Sequence, residues 1–481
     1  PMPLLGPAVL KGHLEARGHS VDLVDLSARV RHRDRFRGPR RHQLGAFFGR
    51  PDALRAHLDG VPDPLITAET EKLVRLGRLD RYETIGFSVS LDSALGPALC
   101  IAQRLGRGRN PPRIVLGGPV FERSDFRYLL EHEAIHAIVL GDGEEAMEHL
   151  LEGGAGPAPG LEMRSMVSTP ASYPLDRKAR PIFERSDVDR YRALGQKIRA
   201  WLPYLLTRGC RYRCSFCRDY DNVRYTYTPA EKVVDELAFL KRTYGVDAIY
   251  FGESNINNDE AAVRELAELM LRRDLRIEWG GLGTIWGLDD DTIELMARAG
   301  CRYLSIGIET ASERLRQKWN IGKCRDLSEI ERRLARMHAL GIRVNSLFIV
   351  GFPHETEDDY EETIAFLETI APYTTTVGAT DFDLVEGSPA YVRQDTFAVR
   401  ARPRESRGRY AFLERHVAFD EIGGVRWEEQ QARSAQKLAR LTRIARLRVG
   451  VPLALRLWRE DPLYPMRRAA RRPYFDYDIY L

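Results

Sequence analysis

Three cysteines within eight residues constrain this chain more than any other feature it has. The run is Cys210-Arg-Tyr-Arg-Cys214-Ser-Phe-Cys217, and it follows the apolar stretch 202–207 and the pair Arg208-Gly209. Thiolates are soft ligands that suit iron–sulfur clusters. Three of them on a cubane of four irons leave one iron open, and an open metal position can take a small molecule. Two blander readings stand beside this one: a zinc site, or three buried cysteines that share no ligand. Zinc ordinarily needs a fourth protein ligand, and no other His or Cys lies within a few residues.

The other cysteines are Cys100, Cys301 and Cys324. Clustering of half the thiols, in a chain without a secretion signal, predicts metal binding in a reducing, cytoplasmic compartment rather than a disulfide framework. A length of 481 residues exceeds one compact core and predicts two or three domains. A hydrophobic content of 43% and a net charge of +4 describe a globular chain with no call on nucleic acid. No apolar run is long enough to span a bilayer. Because Pro1 rather than Met opens the chain, a few further residues are expected ahead of it.

Periodicity divides the chain into two α/β series. Residues 6–17 read as a helix and 21–26 as a strand, whereas 29–75, rich in Arg and His, reads as an irregular insertion. Strands are then expected at 83–90, 113–118 and 137–144, with helices at 94–106, 124–132 and 145–152. Such alternation implies a parallel sheet. Residues 153–198 read as a linker, beginning with a Gly/Pro-rich stretch. The second series, 199–394, has about six strand–helix units, enough for a full or partial barrel. Thr228-Pro229-Ala230-Glu231 has the form of a capping box with proline at the first helical position. Residues 395–481 carry an excess of basic residues and a helix near 427–448, whose apolar stripe reads as a packing face or, alternatively, as part of an Arg-rich lid.

The cysteine motif, with Phe216 ahead of its last thiol, resembles the signature of the radical S-adenosylmethionine (radical SAM) superfamily. The resemblance implies that Cys210, Cys214 and Cys217 ligate a [4Fe–4S] cluster whose open iron chelates S-adenosylmethionine, with Phe216 near the adenine. It extends downstream. Gly252-Glu253, ending the second strand, falls where the family binds the cofactor's amino group; a carboxylate facing an ammonium is sound chemistry. Glu309, in Ile306-Gly-Ile-Glu309, matches a residue for the ribose or aminoacyl group. The run 347–363 resembles the segment that lies against adenine, with Ile349 and Gly351 as contacts, although Glu355 and Thr356 would equally serve as helix caps. The third strand, 279–284, carries Gly and Thr where relatives often carry Arg. Cys324 reads as an ordinary small residue or, less simply, as a hydrogen donor to the site.

Residues 1–152 resemble the cobalamin-binding domain often fused ahead of such a barrel. Gly6 occupies the place of the glycine in the family's Asp-x-His-x-x-Gly turn, but Pro3 stands where the cobalt-ligating His would be, and proline cannot ligate a metal. Ser88, Ser90, Gly117 and Gly118 match the residues lining the slot for the cobalamin nucleotide tail. Gly141-Asp142-Gly143-Glu144 resembles the Gly-Glu-Gly-Glu turn, so Gly141 and Glu144 join the list. All fall at the carboxyl ends of strands, where such sheets bind ligands.

The fold expected is thus an N-terminal doubly wound Rossmann-like domain, a radical SAM (β/α)6 partial barrel and a small helical C-terminal domain. The resemblance implies a cobalamin-dependent radical SAM methyltransferase. Such an enzyme uses a 5′-deoxyadenosyl radical and methylcobalamin to methylate an unactivated carbon or phosphorus, with no protein His beneath the cobalt. Its partners would be a small-molecule or peptide substrate and an electron donor such as flavodoxin or ferredoxin. A non-methylating relative (rearrangement, ring contraction or cyclisation) and a non-catalytic cobalamin-binding protein are the alternatives.

Overall fold

The structure, a computed structural model, describes residues 2–34, 50–90, 94–122, 126–154, 156–194, 201–217, 225–321, 326–403 and 417–449. It divides into two compact units, one reaching Ala200 and the other running on from Trp201.

In the first unit, β1 (Thr84–Ser88), β2 (Arg113–Gly117), β3 (Ala137–Val139) and β4 (Leu161–Glu162) form one sheet in that order. The first three are parallel, and β4 adds antiparallel to β3. The helix Leu95–Gly106 buries Leu95, Leu99, Ile101 and Leu105 in the core that also takes Ile114, Leu116 and Ile138 from the strands.

Three expectations fail here for local reasons. Residues 21–25 are extended but join no strand ladder, because side chains take their backbone groups. Lys11 Nζ donates to the Val21 carbonyl, and Asp25 N–H donates to Asp187 at 3.2 Å. The Asp25 carboxylate in turn accepts from Ala28 N–H at 2.8 Å, capping a helix, Leu26–Asp34, where an insertion was expected. Farther into that supposed insertion lie two more helices, Pro51–Leu58 and Pro64–Gly77, each opened by proline; Asp63 caps the second through Leu65 and Ile66 N–H at 3.0 and 3.1 Å. Their Leu54, Leu58, Ile66 and Leu73 enter the same core. Lastly, in 124–132 the described residues, 126–132, hold a short 3₁₀ turn, Arg127–Glu131, where an α-helix was expected.

The second unit is built on six parallel strands in the order β12-β11-β10-β9-β8-β5. They are β5 (Leu202–Tyr204), β8 (Ala248–Phe251), β9 (Glu278–Gly283), β10 (Cys301–Glu309), β11 (Arg343–Val350) and β12 (Thr376–Asp381); β6 (Thr207–Arg208) and β7 (Thr226–Tyr227) pair antiparallel beside them. Each strand lies beside its successor in the series, with helices between, as the barrel expectation requires. Asp259, Asp289, Asp326 and Thr356 cap the helices that follow. The expected capping box at Thr228 is absent. Pro229 is itself the cap residue of Ala230–Tyr244, and Thr228 instead donates its N–H to Leu206 O at 2.7 Å and its hydroxyl to Leu205 O at 3.2 Å. The last elements are β13 (Val399–Ala401), antiparallel to β14 (Phe419–Glu421), and the helix Trp427–Arg448. Leu438, Leu441 and Ala445 of that helix are buried, so its stripe is a packing face within the barrel unit.

The unusual glycines of β9 are a packing requirement. A methyl at Gly280 would stand 2.1 Å from the Tyr303 carbonyl oxygen, and one at Gly281 would stand 2.7 Å from that of Phe251. Neither backbone oxygen can move without breaking a sheet neighbour. Gly280→Ala should therefore cost about 1–3 kcal/mol as an overpacked core position. Denaturant unfolding measures this directly, and an unchanged midpoint would contradict the packing account.

Candidate functional site

The cysteine loop has neither helix nor strand, so its shape is set by bonds at both ends. Gly209, at φ 79°, turns the chain out of β6. Asn258 then grips the entry, donating Nδ2 to Gly209 O at 2.9 Å and accepting Arg211 N–H at 3.3 Å. The Arg211 guanidinium pairs with Asp259 at 2.9 Å and lies 4.6 Å from the Tyr225 ring centroid. At the exit, Cys217 N–H donates to Cys214 O at 3.0 Å. Ser215 is pinned twice by main chain, through Trp319 O at 3.0 Å and Ala390 N–H at 2.9 Å. Asn320 Nδ2 holds Arg213 O at 2.7 Å.

Cys214 is buried, Cys210 and Cys217 are half-buried, and none of the three is in a disulfide. Among the described residues, no group of three His, Cys, Asp or Glu side chains is gathered around a single ion-sized point. A cubane distributes its thiolates over separate irons, and the donor set here, three soft thiols on one short anchored loop, suits that group.

Glu253 lies just beyond β8. It is 4% exposed; its Oε1 accepts Leu206 N–H at 3.3 Å, while Oε2 has no partner among the described residues. Burial pushes its carboxyl up to about 8, against the pull of backbone N–H groups including those of Leu206 and Thr207. An unpartnered buried carboxylate oxygen is costly unless something arrives to meet it. The Thr207 hydroxyl and Asn255 Oδ1, equally buried, are likewise without partners. A cationic ligand with several N–H donors would satisfy this pocket.

The remaining expected residues lie in the cysteine loop and at the ends of β8, β10 and β11. Gly252 N–H donates to Tyr204 O at 2.9 Å, fixing the end of β8. Glu309 ends β10 with φ 67° and is buried; a non-glycine in that conformation is strained and held by its surroundings. Phe216 and Ile349 pack on one apolar cluster with Trp319 and Phe352, the Phe216 and Phe352 rings lying edge-on at 6.0 Å. Gly351, at φ 75°, is held from the C-terminal helix: its carbonyl accepts Gln430 Nε2 at 2.6 Å, and a methyl there would stand 2.0 Å from Ser434 Oγ. Its N–H donates to Glu355 at 2.9 Å, and Glu355 pairs with Lys437 at 2.8 Å. Thr356 caps the next helix in a full capping box with Asp359. Cys324 lies outside the described residues. Sequence reasoning missed Asn255 and Asn258; three asparagines among residues 255–258, shortly after a strand end, were the available signal.

In the first unit, the expected residues other than Gly6 lie at the carboxyl edge of the sheet. Ser88 ends β1 opposite Gly117, which ends β2. Ser90 follows β1. Gly118, at φ 110°, permits a close crossing, since a methyl there would stand 2.7 Å from Val89 O. Gly141 makes a similar approach to Ala171 at 2.2 Å. Asp142 and Glu144 are both tied to Lys178, at 3.1 and 3.2 Å. Gly6 sits inside the helix Leu5–Glu15 rather than in a tight turn, with open space where a side chain would go.

Comparison with known proteins agrees with this geometry. Residues 204–367 match the model of the radical SAM superfamily. An uncharacterised methyltransferase of Pyrococcus horikoshii is 24% identical over 332 residues, covering 65% of this chain and 69% of that protein. The anaerobic magnesium-protoporphyrin IX monomethyl ester cyclase of Rubrivivax gelatinosus is 27% identical over 297 residues, covering 56% of this chain and 52% of that one. Among solved structures, the radical S-adenosylmethionine methyltransferase TsrM of Kitasatospora setae, with cobalamin and a [4Fe–4S] cluster bound, superimposes with a TM-score of 0.63. Its identity is 19%, over 92% of this chain and 86% of that one, so the likeness is one of fold. The three-thiol loop and the strands β8 to β11 lie within the stretch 204–367 that matches the radical SAM superfamily.

Proposed function

We propose that this chain is a cobalamin-dependent radical SAM methyltransferase acting on an unactivated carbon, or phosphorus, of a small-molecule or peptide substrate. The observation that carries the radical SAM half is the buried, unpartnered Glu253 oxygen just beyond β8, in a chain whose Cys210, Cys214 and Cys217 share one anchored loop. The cobalamin half rests on Ser88, Ser90, Gly117 and Gly118 at the carboxyl edge of the N-terminal sheet, and on the fold shared with TsrM. When bound, the cluster supplies the electron that cleaves the sulfonium of S-adenosylmethionine, and cobalamin the methyl group.

The chain's own residues then have defined work. Cys210, Cys214 and Cys217 hold the cluster and leave one iron open to the cofactor's amino and carboxylate groups. Glu253 would accept from that amino group, Phe216 and Ile349 would wall the adenine, and Glu309 would meet the ribose or aminoacyl part. Pro3 stands where the family's cobalt-ligating His would be, so that position would supply no imidazole to a bound cobalamin. The cobalamin domain takes in the stretch 153–198 expected as a linker, since that stretch supplies β4 and the helix Arg185–Leu194 to the first compact unit; the barrel at 199–394 is joined by the described part of 395–481, expected as a separate helical domain. No helix among the described residues is long and apolar enough to cross a membrane. The proposed location is the cytoplasm, with flavodoxin or ferredoxin as electron donor. The cyclase relative favours a second reading, a non-methylating reaction on the same cofactors.

Three outcomes are expected. Replacing Cys210, Cys214 and Cys217 with Ala should abolish 5′-deoxyadenosine formation; persistence of that product would end the cluster assignment. Protein purified anaerobically from cells fed hydroxocobalamin should carry close to one cobalamin per chain. It should also form S-adenosylhomocysteine during turnover, whereas cobalamin without S-adenosylhomocysteine would favour the non-methylating reading. The third concerns Glu253. Its folded value near 8 lies above the ordinary 4.5, so the folded protein without cofactor holds a proton that the unfolded chain gives up. Stability should therefore fall as pH rises between these values and level off above the upper one. Glu253→Gln should flatten that slope, and identical pH profiles for the two proteins would refute the buried-carboxyl account.

A further inference from the structure

Asn255 has an orientation that its neighbours dictate. The Gly209 carbonyl can only accept, so the amide nitrogen of Asn258 faces it, at 2.9 Å. The Asn258 oxygen is thereby turned to the Arg211 N–H, at 3.3 Å. Asn255 meets that same oxygen at 3.1 Å, which it can do only with its nitrogen. Its own Oδ1 is left over. That atom is buried in a residue 1% exposed, and no described group donates to it.

A second unpartnered acceptor thus lies two residues after Glu253, whose Oε2 is equally stranded. Buried acceptors without donors are rare because each forfeits its hydrogen bonds to water. Two such groups at one strand end, one of them a carboxyl that a nearby cation would ionise, call for a ligand that brings more than one N–H next to positive charge. An amino group bound to a metal cation does both: its nitrogen keeps two N–H donors, one for each oxygen, and the metal supplies the charge. We propose that Asn255 is a second acceptor for the α-amino group of S-adenosylmethionine, and that Asn258 is the positioning residue that aims it. This rests on the radical SAM reading and adds a residue to it. Because Asn258 also grips Gly209 and Arg211, one side chain sets both the entry to the cysteine loop and the direction of the amino-group acceptor.

The test is equilibrium binding to the full-length, anaerobically reconstituted protein, with iron content and thermal midpoint measured alongside. Two ligands are compared: S-adenosylmethionine, and its analogue with a hydroxyl in place of the α-amino group. Asn255→Ala should weaken S-adenosylmethionine binding about 10-fold or more, as loss of a hydrogen bond to a charged group does. It should change affinity for the hydroxyl analogue less than about 2-fold, with iron content unchanged. An unchanged affinity for S-adenosylmethionine, or equal losses for both ligands, would overturn the assignment. Should Asn255→Ala fail to fold, Asn255→Leu, which keeps the volume and removes the acceptor, is read in the same way: an unchanged affinity for S-adenosylmethionine, or equal losses for both ligands, overturns the proposal. Wild-type protein that takes up no iron at all would instead overturn the radical SAM reading beneath it.

Discussion

A loop with no regular structure must present three thiols at fixed places, and the barrel's carboxyl edge is organised around that demand. The loop cannot hold itself, so its backbone is bound to three other strand ends. Asn258, after β8, takes Gly209 and Arg211; Trp319 and Asn320, after β10, take Ser215 and Arg213; Ala390, after β12, takes Ser215 again. Parallel strands make this possible, since all their carboxyl ends meet on one side. The same edge leaves Glu253 dry and incompletely bonded, which is what a site made for a cation requires.

Close approach of backbones is the second constraint. Gly280 and Gly281 let β9 sit against β8 and β10, and Gly351 lets the C-terminal helix reach the end of β11. There Gln430 and the Lys437–Glu355 pair fix the turn that follows Ile349. The C-terminal helix is thus part of the barrel's architecture, and Leu438, Leu441 and Ala445 of its apolar stripe are spent on packing.

Much of this was legible in the sequence because it is written in short-range chemistry. Cysteine spacing, the strand–helix rhythm of the barrel and the glycines at strand ends all report local requirements. The failures share a cause as well. Residues 21–25 have strand composition, but Lys11 and Asp187, distant in sequence, take the backbone bonds a ladder would have used. Thr228 has capping chemistry, but Leu205 and Leu206 offer its groups better partners. The helices at 51–77 were obscured by the Arg- and His-rich run before them, and 35–49 lie outside the described residues. Asn255 and Asn258 carry no signature by type; their meaning comes from which neighbour can donate and which can only accept.

The central claim is that the three-thiol loop holds a cluster whose open iron receives the amino acid end of S-adenosylmethionine next to Glu253. The most direct measurement is electron paramagnetic resonance of the reduced, reconstituted protein, recorded with and without S-adenosylmethionine labelled with ¹⁵N at its amino group. The account predicts a signal whose g-values shift on addition of the cofactor and which carries hyperfine coupling to the ¹⁵N. A cluster signal that the cofactor leaves unmoved and uncoupled would contradict it.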